Sequence, residues 1–587
     1  MATPPPASDV IDRRVPLSPT WWRTAVVYQV YVRSMADGNG DGIGDLAGIV
    51  SRLDYLAELG VDAIWLTPCF PSPQRDHGYD VADYFDIEPA YGTLATFDAL
   101  VADARGHGIK ILMDVVPNHC SNQHAWFQAA LAAAPGSAER ERFYFRDGKG
   151  PDGDEPPNNW RALFGGPAWT RIAEADGSPG QWYLHFFTPW QPDWNLQNHD
   201  VREQFADVLR FWFDRGVEGF RCDAVTVAGK APGLPDQPPV PPGTPMPEAV
   251  GMNPYSVYRP EGHEAWRHWR SVVDEYEREH PGRHPYLVAE AYAAHAPERM
   301  LEYIRPDEFH QAFAFDLLLS PWIAGEFRRA IAESIDTLAT RGLPLTWTLN
   351  NHDAQRTVTR YGRADADSMT SYTGNNLLNS EAPVDVALGT RRARAAAMLT
   401  LSLPGAAYLY VGEELGLYEV LDIPADRRED PLFINTDGAE LGRDGCRVPL
   451  PWTADAATSF GFSTPPVTGR PWLPQPSNWG ALAADAQAGD PTSTLSLYRA
   501  AVAVRRATPA LTTEAFAWAD LGDEVVSFRR GDVLVVLNPG AHPFAVPAAV
   551  VADAELLLCS VHGHHDPATV PADSAVWLRV PDADGAS

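Results

Sequence analysis

Cysteine is scarce in this chain. Cys69, Cys120, Cys222, Cys446 and Cys559 are widely scattered and odd in number over 587 residues, which argues against a disulfide framework and fits a reducing, cytoplasmic setting. Long apolar runs are missing too: no segment approaches the roughly 18 uninterrupted apolar residues of a membrane span. The opening stretch, MATPPPASDVIDRRVPLSP, has no continuous apolar region of the signal-peptide kind. The expectation is a chain that neither crosses nor enters a membrane. Basic residues are outnumbered, 46 against 77 acidic, and the formal charge of -31 repels phosphate backbones, so nucleic acid and anionic lipid surfaces are excluded as partners. No glycine-rich phosphate fingerprint follows a strand, and no HxH or HExxH spacing marks a compact metal centre.

What is present is a large apolar fraction, 45%, enough for at least one big core and two or three domains. Trp and Tyr are many, 19 and 20, and aromatic rings stack on sugar faces as readily as they fill cores. That is a mild pointer to carbohydrate.

DGNGDGIGD, residues 37–45, has the composition of a calcium loop. An EF-hand would close it with a bidentate Glu at the twelfth position, but that position is Gly48, and the chain holds no second copy. A calcium sensor is therefore excluded. A metal clip inside a larger fold stays open, beside a polar turn whose Asp side chains accept backbone N–H groups.

The loop follows a predicted strand, VVYQVYV at 26–32. LAGIVSRLDYLAELG then carries Leu46, Ile49, Leu53, Leu56 and Leu59 at helical spacing. Strands and helices go on alternating, with further predicted strands at 61–68, 108–116, 217–223, 285–290, 312–316, 344–350 and 405–411. Eight such units favour an α/β fold of the (β/α)8 barrel type over an open doubly wound sheet. The rhythm is interrupted over 119–195, too long for a loop and read as an inserted subdomain after strand 3. The expected organisation is an N-terminal extension (1–20), a barrel (21–118 and 196–510) and a C-terminal antiparallel β-domain (511–587). Within the barrel, residues 231–248 form a proline-rich loop and 415–485 a polar excursion after strand 8.

In such a barrel the residues at the C-terminal ends of the strands face the substrate. Asp223, Glu290 and Asp353 stand at three of these ends, with Asp114 and His119 at a fourth and Asp76, His77 and Tyr79 after the second. Any one could be an ordinary residue after a strand, and the histidines could be satisfied buried imidazoles. Together, carboxylates without a metal spacing suit nucleophilic and acid catalysis on an acetal, where a retaining pair stands about 5 to 5.5 Å apart. A metal centre of Asp76, His77, Asp114 and His119 is the competing reading.

The motifs GYD (78–80), DVVPNH (114–119), GFRCDAV (219–225), AEAY (289–292) and NNHD (350–353) resemble those of the α-amylase superfamily of glycoside hydrolases, in its α-glucosidase and oligo-1,6-glucosidase branch. PPNNW, FGGPAW, QWYLHFF, QPDWN, GEELG and GRDGCRVPLPW strengthen the likeness, which runs from about 20 to 511. The resemblance implies Asp223 as nucleophile, Glu290 as general acid/base and Asp353 as the carboxylate holding sugar hydroxyls. It also implies that Asp76, His119 and His352 grip the terminal glucose, that Tyr79 stacks on it, and that Arg447 bonds Asp76 or the sugar. Arg221, on the same strand face as Asp223, would keep that carboxylate ionised. Trp169, Trp190 and Trp194 are rim or core; spacing does not say which.

In this branch the inserted segment and the late excursion close the cleft into a pocket, which implies exo action on chain ends. Ala224, directly after the nucleophile, implies a preference for α-1,4 over α-1,6 links, hence for maltose and short malto-oligosaccharides. The branch often carries calcium, or magnesium, after strand 1, which would enlist Asp37, Asn39, Asp41, Asp45 and the Ile43 carbonyl in a structural site. Cys120, Val448 and Leu450 depart from the common Thr, Thr and Met, small changes that alter subsites before chemistry. Trehalose synthase, sucrose or α-1,6-glucoside activity and net transglycosylation remain alternatives. A non-catalytic binding homologue would be expected to have lost one of the three acids. The implied partner is a small sugar; nothing in the sequence decides for or against a homo-oligomer.

Overall fold

The computed structural model describes residues 20–174, 176–241, 244, 246–291, 297–366 and 382–580. The expected N-terminal extension, apart from Thr20, therefore lies outside the described residues. So do Tyr292 of the AEAY motif, residues 242, 243 and 245 of the proline-rich stretch, and 581–587 of the terminal segment.

Eight parallel strands form one sheet: β1 (Val26–Val30), β2 (Ala63–Leu66), β3 (Lys110–Val115), β4 (Gly219–Cys222), β5 (Tyr286–Ala289), β6 (Gln311–Ala312), β7 (Thr346–Thr348) and β8 (Ala406–Tyr410). Their order is β7-β8-β1-β2-β3-β4-β5-β6, and a parallel bridge between Ala314 and Trp347 joins the two ends into a barrel. Both faces of the strands are covered, so β1, β2, β4 and β5 are buried along their whole length instead of alternating.

Two expected elements come out shorter. The strand expected at 312–316 is only Gln311–Ala312, because the Thr346 hydroxyl donates to the Ala312 carbonyl (2.6 Å) and accepts from the Ala314 N–H (3.2 Å), replacing ladder bonds with side-chain ones. The helix expected through 46–59 divides into Leu46–Val50 and Leu53–Leu59. Arg52 N–H turns back to the Ile49 carbonyl at the break, and its guanidinium lies 4.4 Å over the Trp452 ring. The second piece ends at Gly60, whose left-handed backbone (φ 89°) stops the helix.

After β3 the chain builds a three-stranded antiparallel sheet from Phe145–Arg146, Trp169–Ala173 and Pro179–Leu184. Trp169 and Trp194 are core residues at 1% and 0% exposure, whereas Trp190 is half-buried at the rim under the Arg75 guanidinium. The C-terminal part is a five-stranded antiparallel sheet, Ala517–Trp518, Val526–Arg530, Val533–Asn538, Ser574–Arg579 and Glu555–Cys559, in that order across the sheet. It docks on the barrel through Asp573, which binds Arg392 at 2.7 Å and the Trp322 indole N–H at 2.9 Å. All five cysteines are free. Among the described residues no helix is long and apolar enough to cross a membrane.

Candidate active site

Parallel pairing decides which side chains meet. Asp114 on β3 is in register with Arg221 on β4, and Cys222 with Ala289, so the next residues, Asp223 and Glu290, emerge side by side at the barrel mouth. Arg221 is the hub. Its Nη1 donates to Asp114 (2.8 Å) and to Asp223 (2.6 Å), and its Nη2 pairs with Glu290 at 2.7 Å. The indole N–H of Trp65 and the Tyr79 hydroxyl each donate to Asp114 at 3.1 Å.

Three buried carboxyls around one guanidinium cannot all ionise easily. Burial raises the Asp223, Glu290 and Asp114 pKa values, with Arg221 opposing in each case, and takes Asp114 to about 7. This revises the role expected for Arg221. It does not single out Asp223 for ionisation, since it holds Glu290 as closely. Glu290 differs in two ways: the nearby Asp353 charge raises it further, and its other oxygen takes the Ala224 N–H at 2.8 Å. Ala224 makes that bond from a left-handed backbone (φ 48°, ψ 34°).

Asp353 faces this cluster under opposite conditions. Burial would raise it, but His352, Arg443 and Arg447 outweigh burial and hold it well below the usual carboxylate range. Arg443 binds it at 2.8 Å, Arg447 at 3.0 Å and His352 Nε2 at 3.2 Å. It is also the most open of the three acids, with a third of its side chain exposed.

The expected glucose-gripping residues join the same polar cluster. Burial drives His119 down to about 3, so it is neutral; its Nδ1 faces the Asn118 amide (3.1 Å) and its Nε2 the Tyr79 carbonyl (3.2 Å) and Gln191 (3.1 Å). Burial lowers His352 as well, with the Asp353 charge opposing, and its Nδ1 faces the Gln29 amide at 2.7 Å. The Tyr79 and His352 rings lie parallel, 5.2 Å between centroids. One contact departs from expectation. Arg443, not Arg447, binds Asp76 (3.0 Å), while Arg447 donates to the His352 carbonyl and to Asp353. The intervening Asp444–Cys446 turn puts the two arginines, four apart, on one side, and that spacing was the available signal for Arg443.

Sequence reading also missed Gln191, whose amide donates to Asp76 at 2.8 Å, and the buried Lys230. Lys230 Nζ pairs with Asp193 (2.9 Å) and donates to Asn118 (3.0 Å), tying the inserted segment to the exits of β3 and β4.

The 37–45 loop lies outside this cluster. Asp37 accepts the N–H groups of Asn39, Gly40 and Gly42; Asn39 accepts that of Asp41; Asp41 accepts that of Ile43; and Asp45 accepts those of Gly38 and Gly48. The loop is docked on the late excursion, with Asp37 paired to Phe462 and Thr464 and Gly42 to Trp472. A Cβ on Gly42 would come 2.0 Å from the Arg470 carbonyl oxygen. Among the described residues no three His, Cys, Asp or Glu converge to hold a metal ion, here or at Asp76, His77, Asp114 and His119.

Residues 29–514 match the family model for the α-amylase catalytic domain. The chain belongs to the α-amylase family of glycoside hydrolases. A probable α-glucosidase of Rhizobium meliloti is 36% identical over 87% of each chain. Among solved structures, an α-glucosyl transfer enzyme superposes with a TM-score of 0.79 at 34% identity, covering 95% of this chain and 99% of its own. A trehalulose synthase from Pseudomonas mesoacidophila superposes with a TM-score of 0.77 at 30% identity, covering 96% and 99%. The residues matched to the α-amylase family run from the end of β1 through β8.

Proposed function

We propose that this glycoside hydrolase is a retaining, exo-acting α-glucosidase that removes α-glucose from the non-reducing end of maltose and short malto-oligosaccharides. The observation that carries the reading is Arg221, which holds Asp223 and Glu290 together at the ends of neighbouring strands, facing an ionised and more open Asp353.

In the first step an Asp223 oxygen attacks C1 of the terminal glucose, the C1–O bond to the leaving group breaks, and Glu290 gives its proton to the departing oxygen. Water then attacks C1, Glu290 takes the water proton, and the bond to Asp223 breaks, so two inversions return the α-configuration. Asp353, with Arg443 and Arg447 behind it, accepts hydroxyls as the ring flattens. His119, His352, Asp76 and Gln191 supply further neutral and charged partners around the same ring. Exo action is supported by the inserted segment, which reaches Asp76 through Gln191, and by the excursion after β8, which reaches Asp76 and Asp353 through Arg443 and Arg447.

The preference for α-1,4 links rests on Ala224, which follows Asp223, gives its backbone N–H to Glu290 and packs against the Phe186, Val227 and Val250 cluster. Parallel turnover of maltose, isomaltose, sucrose and trehalose tests it: maltose is expected to be hydrolysed fastest, and a faster isomaltose rate would reverse the linkage preference. The likeness to a glucosyl transfer enzyme and a trehalulose synthase favours a second reading, in which the glucosyl unit passes to another sugar instead of water. Accumulation of transfer products or of isomerised disaccharide ahead of glucose would move the function there.

A calcium or magnesium ion held in the 37–45 loop by Asp37, Asn39, Asp41, Asp45 and the Ile43 carbonyl is part of the proposal on donor chemistry alone, and no catalytic step depends on it. A melt with and without EDTA tests it: a fall in Tm of several degrees, restored by calcium, is expected, and an unchanged Tm would leave the loop to its own hydrogen bonds.

A further inference from the structure

His77 is strained, buried and unused by the chemistry above. It holds a left-handed backbone (φ 52°), a conformation that strains a residue with a Cβ, and it sits directly between Asp76 and the Gly78–Tyr79 turn. Its Nδ1 faces Arg33 Nη1, and a guanidinium can only donate, so Nδ1 accepts and the imidazole proton is on Nε2. Arg33 is itself fixed, 4.1 Å over the Trp472 ring and 3.2 Å from Glu429.

Nε2 lies 3.9 Å from Asp444 Oδ1, and both side chains are fully buried. Among the described residues neither atom has a hydrogen-bond partner. The gap is about 1 Å longer than an N–H···O bond, and at that range in a buried setting the N–H and the carboxyl oxygen attract each other. Asp444 belongs to the same turn as Arg443 and Arg447, and its other oxygen takes the N–H groups of Glu429 (2.8 Å) and Asp430 (3.2 Å). Asp430 in turn grips Arg443 at 2.7 Å.

Resting on the glucosidase reading, we propose that His77 is a positioning residue: its contacts to Arg33 and Asp444 latch the loop after β2, which carries Asp76, to the excursion after β8, which carries Arg443, and so hold the Asp76–Arg443 pair in place for the terminal glucose. Sugar occupancy and docking of the two loops are then coupled, and the latch acts on how tightly the terminal glucose is held.

His77→Asn separates the latch from the fold. Asn tolerates a left-handed backbone and offers an oxygen near the position of Nδ1, so the Arg33 contact survives, but it is too short to reach Asp444. Wild type, His77→Asn, Asp444→Asn and the double variant are compared for KM and kcat on maltose, for inhibition by glucose, and for Tm. KM and the glucose inhibition constant are expected to rise about tenfold in each single variant, with kcat within about threefold and the His77→Asn Tm near wild type. The double variant should be no weaker than the weaker single, as for two halves of one contact. An active wild type with an unchanged His77→Asn KM and glucose inhibition overturns this inference alone. A wild type inactive on every α-glucoside overturns the proposed function and the inference with it.

Discussion

Asp223→Asn is expected to lower kcat on maltose by about four orders of magnitude or more, because the amide cannot attack C1 and no other group can take its place in a retaining reaction. The same change should leave Tm equal to or above wild type. Arg221 serves three buried carboxyls, Asp114, Asp223 and Glu290, so one cation faces more negative charge than it can balance. Burial has already raised Asp223. Neutralising it relieves repulsion instead of breaking a balanced pair, and Arg221 keeps Asp114 and Glu290. Near-normal turnover in Asp223→Asn would remove it as nucleophile; a large loss of both turnover and Tm would recast it as a structural residue. Circular dichroism melts beside initial rates separate the outcomes.

The second large effect concerns stability. Lys230→Met should cost about 3–5 kcal/mol, the penalty for leaving a buried charge without its partner. Lys230 and Asp193 are both fully buried, and Nζ reaches Asn118 as well, so the variant strands Asp193 and frees the Asn118 amide that faces His119. The Lys230→Met, Asp193→Asn double variant, which removes both charges, should recover much of the loss. Chemical denaturation monitored by Trp fluorescence measures this. A Lys230→Met chain as stable as wild type would show that the pair contributes nothing to holding the inserted segment on the barrel.

The three acids at the strand ends were legible because a strand announces its own end. FRCD, LVAE and TLNNHD each carry β-branched or apolar residues into a polar residue, and in a parallel barrel those ends converge whatever lies between them. The barrel itself followed from the alternation of units, although β6 shrank to two residues where the Thr346 hydroxyl does the work of the backbone ladder. Contacts made by long side chains from distant segments were not legible. Arg443 and Arg447 lie four apart in one motif, and only the turn between them decides that Arg443 takes Asp76. Lys230 stood in a run with no periodicity, and its partner Asp193 is 37 positions away, on the other side of the helix His199–Asp214 and of β4. The expected division of labour at Arg221 failed for a related reason: spacing on one strand puts Arg221 and Asp223 on one face, but the approach of Glu290 from the next strand depends on register.

The 37–45 loop teaches the same lesson. Its composition suggested an ion, yet Gly42 is required by the Arg470 carbonyl of the excursion after β8, a neighbour more than 400 positions away that no local pattern reveals. Its acidic side chains meanwhile have an observed task, accepting the N–H groups of their own turn.

The central claim is that Asp223 and Glu290 act as nucleophile and acid on an α-glucoside with retention. Proton NMR of maltose during the first turnovers, before mutarotation mixes the anomers, tests it most directly. The account predicts that the glucose released from the non-reducing end appears first as the α-anomer; β-glucose as the first product from that end would contradict it.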